Sequence, residues 1–173
     1  MHDSVQKYKD IISAIDRKIE EQKLNITPKV IAVSKTFKLE KILPLIEYGH
    51  LDYGENKVQE AVEKWTDIKQ KNPKIKLFIQ VNIGDEQQKS GVNINQIKDL
   101  IDFSKKLDLN VIGLMCIPPV NEKPEKYFKE IKLLNKEFNL DEISMGMSSD
   151  YLKAVENSST YLRIGSSIFG NRV

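Results

Sequence analysis

Short apolar runs that alternate with amphipathic stretches constrain this chain more than any other feature of its sequence. Val30-Ile31-Ala32-Val33-Ser34 is built of β-branched and small residues and is apolar on both faces. Such a run suits a strand covered on both sides, as in a parallel sheet. Leu77 to Ile83, Val111 to Met115, Glu142 to Met145 and Tyr161 to Ile164 repeat the pattern, and Leu51-Asp52-Tyr53 is a briefer version. Helical stripes lie between them: Leu39 to Tyr48, where Pro44 is expected to bend or split the helix, then Val58, Val62, Trp65 and Ile68. Asn93 is placed to cap a helix carrying Ile94, Ile97, Ile101 and Ser104. Pro124 stands at a first helical position before Tyr127, Ile131, Leu134 and Phe138, and Ser149 to Asn157 forms a short last helix. Ahead of everything, Val5, Tyr8, Ile12, Ile15 and Ile19 recur at spacings of three and four, which predicts an opening helix over residues 3 to 23.

Strand and helix therefore alternate about six times after that helix. Alternation at this spacing implies right-handed βαβ units and an α/β fold with a parallel sheet, either an open layer or a closed barrel. No shift of composition divides the chain, so residues 1–173 are expected to form one domain.

Charge and composition narrow the function. Lys and Arg number 27 against 25 Asp and Glu, a net +2, and the signs are interspersed along the chain. A dedicated nucleic-acid binder concentrates a basic excess on one face, so that class is disfavoured. The single cysteine rules out an internal disulfide framework, and with two histidines it leaves little for a metal site. No apolar run approaches the roughly 18 residues of a membrane span, and the polar N-terminus is no signal peptide, so a soluble cytoplasmic protein is expected.

Three strand ends carry candidate chemistry. Lys35 directly follows the first buried run. Ligands of parallel α/β folds bind at the carboxyl ends of strands, and partial burial of an amine there favours its neutral, nucleophilic form. A lysine that merely snorkels to solvent is the plainer alternative. In Arg163-Ile164-Gly165-Ser166-Ser167-Ile168-Phe169-Gly170, a strand ends in a basic residue, a glycine turn and two hydroxyls. Backbone N–H groups in such a turn suit an anion, though an ordinary Gly-Ser turn reads the same way. Met145-Gly146-Met147-Ser148 follows another strand, and Ser148 there either caps the next helix or offers its hydroxyl to the same anion. Cys116, His2 and His50 suggest only core or surface roles. If the first and last strands are neighbours, Lys35 faces the Arg163–Ser167 loop. An amine beside a phosphate cradle, with a guanidinium between them, is equipment for holding a phosphorylated aldehyde as a Schiff base.

Six blocks of the chain resemble one family. They are Ile31-Ala32-Val33-Ser34-Lys35-Thr36, Tyr53-Gly54-Glu55-Asn56-Lys57-Val58-Gln59-Glu60, and Phe78 to Ile83 with Lys89-Ser90-Gly91-Val92. Gly113-Leu114-Met115-Cys116-Ile117-Pro118-Pro119, Ser144-Met145-Gly146-Met147-Ser148 and the Arg163–Gly170 segment complete the set. In this order they resemble the pyridoxal phosphate homeostasis proteins, relatives of the barrel domain of alanine racemase. The resemblance implies a TIM-barrel-like fold and pyridoxal 5′-phosphate held on Lys35 as a Schiff base. It implies that Ser148, Gly165 and Ser166 bind the phosphate, that Arg163 lies against the pyridine nitrogen, and that Asn56 and Met145 line the pocket. It also implies a non-catalytic role in keeping the free cofactor in balance, with PLP-dependent apo-enzymes as recipients and a monomer or weak dimer as the working form.

One departure stands out. After the Tyr53-Gly54-Glu55-Asn56 block, two βα units of the family are missing, and Pro73-Lys74-Ile75-Lys76-Leu77 runs straight into a later strand. About six strands are therefore expected instead of eight. Strand number, tilt and shear are linked, so the remainder must close more tightly, stay open with two edges, or depend on a partner. Two functional alternatives stay open on sequence grounds: a PLP-dependent amino-acid racemase or lyase, and a degenerate, internally deleted copy with impaired cofactor binding.

Overall fold

The computed structural model describes residues 2–54, 76–87, 90–106 and 110–170. Helix α1 (Asp3–Gln22) leads into β1 (Lys29–Val33), α2 (Leu39–Glu47) and β2 (Tyr53–Gly54). Strand β3 (Leu77–Val81) follows, then a 3₁₀ turn (Ile94–Gln96) running into α3 (Ile97–Lys106), β4 (Val111–Cys116) and α4 (Pro124–Glu137). The chain ends with β5 (Glu142–Met147), α5 (Tyr151–Glu156), β6 (Tyr161–Ile164) and α6 (Ser166–Phe169). The expected helix around Val58, Val62, Trp65 and Ile68 lies outside the described residues.

All pairings in the six-stranded sheet are parallel, in the order β2-β1-β6-β5-β4-β3. Among the described residues β2 and β3 are the edges, so the sheet is an open, curled half-barrel rather than a tighter closed one. The curl is visible in side-chain contact. The rings of Phe78 on β3 and Tyr161 on β6 lie 5.1 Å apart although two strands separate theirs. In a flat sheet those strands would stand about 14 Å apart at the usual spacing.

Period-two alternation sorts the strands into two faces. Val30, Ala32, Ile79, Val81, Leu114, Cys116, Ile143, Met145, Leu162 and Ile164 are buried under the helices and join Ile15, Ile42, Leu45, Ile97, Phe128, Ile131 and Ile168 in one core. Each fully buried side chain of this size contributes about 2 kcal/mol. Lys29, Ile31 and Val33 alternate with that set and share the concave face with Tyr161 and Arg163, to which β1 is registered. Helix α1 packs on α2, α5 and α6, bracing the outside of the last turn.

Local signals act as chemistry requires. Asn93 forms a capping box with Gln96, and Pro124 opens α4. Helix α2 runs unbroken through Pro44, contrary to the expected split; a single missing N–H costs one bond, while Ile42 and Leu45 on either side are fully buried. Two buried polar residues tie the layers. Asn135 accepts from Leu114 N–H at 2.9 Å and donates to Leu140 O at 2.6 Å. Ser159, wholly buried, accepts from Met145 N–H and donates to Met145 O at 2.8 Å, where the β5–β6 register shifts. Replacing Ser159 by Ala leaves those β5 groups unsatisfied and is expected to cost about 1–3 kcal/mol in urea unfolding.

His50 is buried between Tyr8 at 4.7 Å and Tyr53 at 5.2 Å, and its Nε2–H donates to Asp52 O at 2.8 Å. Burial pushes its pKa below the ordinary 6.5, opposed by the Asp52 carbonyl and carboxylate. The unfolded chain then takes up a proton more readily than the folded one. Stability is accordingly expected to fall as pH drops below about 6.5, and to hold above it. Urea midpoints across this range check this, and His50→Gln should flatten the dependence.

Candidate functional site at the carboxyl ends of the strands

Because every strand runs the same way, the loops after β1, β5 and β6 emerge at one end of the sheet. Those loops carry Lys35, Ser148, Gly165 and Ser166. Lys35 lies half-buried in a closed turn: Ser34 N–H donates to Gly54 O at 3.0 Å, and Phe37 N–H donates back to Ser34 O at 3.1 Å. Thr36 takes the left-handed conformation, with φ +69°.

The turn after β6 presses directly on the end of β1. A Cβ built on Gly165 would come 3.3 Å from Val33 Cβ and 3.4 Å from Val33 O. A side chain here would be a tight fit, asking Val33 to give by a few tenths of an ångström. Ser166 is exposed and opens α6, so its N–H has no intrahelical acceptor. Ser167 N–H donates to Ser148 Oγ at 3.3 Å, joining the loops after β5 and β6. Ser148 therefore does not cap α5. Asp150 holds that position, and its carboxylate accepts Met147 N–H at 2.7 Å.

Arg163 spans the concave face. Its Nη1 donates to Ser144 Oγ at 2.8 Å and its Nη2 to Cys116 O at 2.9 Å, reaching from β6 over β5 to β4 because the sheet curls. Both acceptors are neutral, and among the described residues no carboxylate pairs with it. Burial pushes the guanidinium below its usual pKa, while Cys116 and Asp150 oppose the shift. Arg163 is thus a half-buried cation held by two neutral oxygens, with the Asp150 carboxylate in the neighbouring loop acting on it through space.

The structure does not bring Met145 to this site. It has no exposed surface and belongs to the helix-facing core. Gly146, at φ +90°, leaves no room for a Cβ against Ala154 and shifts the register of β5. Met147 consequently comes opposite Arg163. Asn56 lies outside the described residues. Sequence reasoning placed Ser144 and Cys116 inside motif blocks but missed them as partners of Arg163, since the contact depends on the curl of the sheet across β5 and β4. The Cys116 thiol itself is buried, which pushes its pKa up to about 12 and keeps it unreactive. A cavity of about 740 Å³ at the opposite end of the sheet, lined by Lys129, Lys132, Asn135, Asn139, Leu140 and Ile143 among others, contains none of these groups. No group of metal-ligating side chains occurs among the described residues, and no helix is long and apolar enough to cross a membrane.

No family model matches the chain. Individual relatives do. The pyridoxal phosphate homeostasis protein of Aquifex aeolicus is 30% identical over 198 aligned positions, covering 83% of this chain and 87% of its own length. That of Escherichia coli K12 is 28% identical and covers 95% of this chain and 93% of its own. The Aquifex alignment holds about fifty positions that this 173-residue chain leaves unfilled, close to two compact βα units at roughly 30 residues each. In fold, PipY of Synechococcus elongatus PCC7942 without PLP matches with a TM-score of 0.72 and 24% identity, over 90% of this chain and 100% of that one. Its PLP-bound structure matches with a TM-score of 0.69 and 21% identity over the same shares. Alanine racemase from Corynebacterium glutamicum follows at 0.61 and 15%, over 93% of this chain and 62% of that one. The sequence likeness to the Aquifex protein, over most of both chains, leads to one placement: the chain belongs to the pyridoxal phosphate homeostasis protein family.

Proposed function

We propose that this chain binds pyridoxal 5′-phosphate, with Lys35 as its covalent anchor, Ser148, Gly165 and Ser166 as its phosphate seat, and Arg163 as the cation toward the pyridine ring. The observation that carries the reading is the contact of Gly165 with Val33, which puts the β6 turn against the strand end that leads into Lys35. When bound, the cofactor supplies an aldehyde carbon open to an amine and a 5′-phosphate of about two negative charges. The residues present fit those two needs. Lys35 offers the amine, the Ser166 amide and the Ser148 hydroxyl offer donors, and Arg163, hydrogen-bonded only to neutral groups among the described residues, offers positive charge. Met147, in register with Arg163, takes the wall position expected of Met145.

A carrier or regulator of the cofactor fits these groups better than a catalyst. A fixed guanidinium near the ring nitrogen disfavours its protonation, which weakens the ring as an electron sink. The PLP homeostasis proteins of Aquifex and Escherichia carry that role in their names. The reading extends to delivery of the cofactor to PLP-dependent apo-enzymes in the cytoplasm.

Added pyridoxal 5′-phosphate should give the purified protein a visible absorbance band that borohydride removes and that Lys35→Ala lacks. At a free concentration of about 100 Kd the ligand adds about 2.7 kcal/mol, a rise in Tm of roughly 5–10 °C for a chain of this size. A colourless protein with an unmoved Tm would refute the assignment, and sustained turnover of alanine or serine enantiomers would replace it by a racemase or lyase. Arg163→Leu should weaken binding by about 10- to 100-fold, as read by titration, through loss of a charged donor.

A further inference from the structure

Lys35 stands midway between two contacts that join the same pair of loops. Two residues before it, Val33 lies beside Gly165, its Cβ 3.3 Å from where a Cβ on Gly165 would stand. Two residues after it, the ring of Phe37 packs on that of Phe169 with centroids 5.3 Å apart and planes inclined by 44°. Phe37 is 8% exposed and Phe169 2%, so the pair is part of the core and not a surface encounter. Lys41 lies with Nζ 5.2 Å from the Phe37 ring centroid. The Phe37 N–H to Ser34 O bond closes the turn between the contacts, so one backbone turn carries both the ring and the lysine.

We infer that the Phe37–Phe169 pair is a positioning element that fixes the separation between Lys35 and the Gly165–Ser166 turn, and so selects a ligand carrying an aldehyde and a phosphate at one set distance. The inference rests on the PLP-binding reading above. A ligand gripped at two points gains from the second grip only when the first presents it at the right place. Displacement of one anchor by about 1 Å can cost on the order of 100-fold in that gain. Val33 and Gly165 meet through backbone and a small side chain, which sets how near the loops approach. The aromatic pair sets the tilt of the turn that carries the amine. Neither phenylalanine touches the ligand in this arrangement; both act through the turn.

Three probes separate the grips in the full-length protein. Pyridoxal 5′-phosphate uses both anchors, pyridoxine 5′-phosphate lacks the aldehyde, and pyridoxal lacks the phosphate. Phe37→Leu and, independently, Phe169→Leu should weaken pyridoxal 5′-phosphate about tenfold or more while pyridoxine 5′-phosphate and pyridoxal stay within about twofold, because only the linkage of the two grips is lost. Phe37→Tyr, which keeps the ring, should restore parental binding. The proposal is overturned if Phe37→Leu holds pyridoxal 5′-phosphate as tightly as the parent. It is equally overturned if all three ligands weaken together in step with a lowered Tm, the mark of a purely structural role. If the parent protein binds none of the three, the PLP reading itself fails, and the proposal falls with it.

Discussion

Parallel pairing between the first and last strands sets where the candidate functional groups of this chain sit. Four register pairs, from Lys29–Tyr161 to Ala32–Ile164, zip β1 to β6 and bring their carboxyl ends level. Everything at the site hangs from that line. Lys35 leaves one strand two residues past its end, and Gly165 leaves the other close enough to touch Val33. Slippage of one residue would exchange the concave and helix-facing sets and carry Arg163 into the core, so burial of Leu162 and Ile164 holds the register as firmly as hydrogen bonding does.

The two units that the sequence resemblance leaves absent belong between β2 and β3, which are the edges of the sheet among the described residues. The β1–β6–β5 strip that bears Lys35, Arg163, Ser148 and Gly165 keeps its neighbours. Curl is also kept, since Phe78 still reaches Tyr161 and Arg163 still reaches Cys116 O. Part of the β3 edge is occupied by its own following loop: Val92 N–H donates to Gln80 O at 2.8 Å, and Asn82 N–H donates to Val92 O at 2.9 Å. A half-barrel thus retains the concave curvature that a closed barrel obtains by completing the circle.

Much of this was legible in the sequence, because parallel strands buried on both faces announce themselves as unbroken apolar runs and the order of six motif blocks fixed their sequence of use. Strand β6 falls where its residues indicated, and the Asn93 cap and the Pro124 start behave as their chemistry demands. Closure was not legible, because it depends on twist summed over strands and not on any local pattern. Met145 was expected at the pocket from the resemblance alone, whereas period-two alternation with Ile143 sends it to the helix-facing core; the positive φ of Gly146 then brings Met147 opposite Arg163, which no local pattern foretells. Ser148 and Asp150 are both competent caps, and only the approach of Ser167 decides that the serine serves the other loop. Asn135 and Ser159 carry no motif at all; their importance lies in distant backbone groups that the fold leaves needing partners.

On the proposed reading, one lysine among many is set apart by its place opposite the β6 turn. Reductive trapping of substoichiometric pyridoxal 5′-phosphate, followed by peptide mass mapping, tests it most directly, because any exposed lysine can form a transient adduct. Label should concentrate on the peptide bearing Lys35 and be displaced by excess inorganic phosphate. Label spread across surface lysines, or insensitive to phosphate, would contradict it.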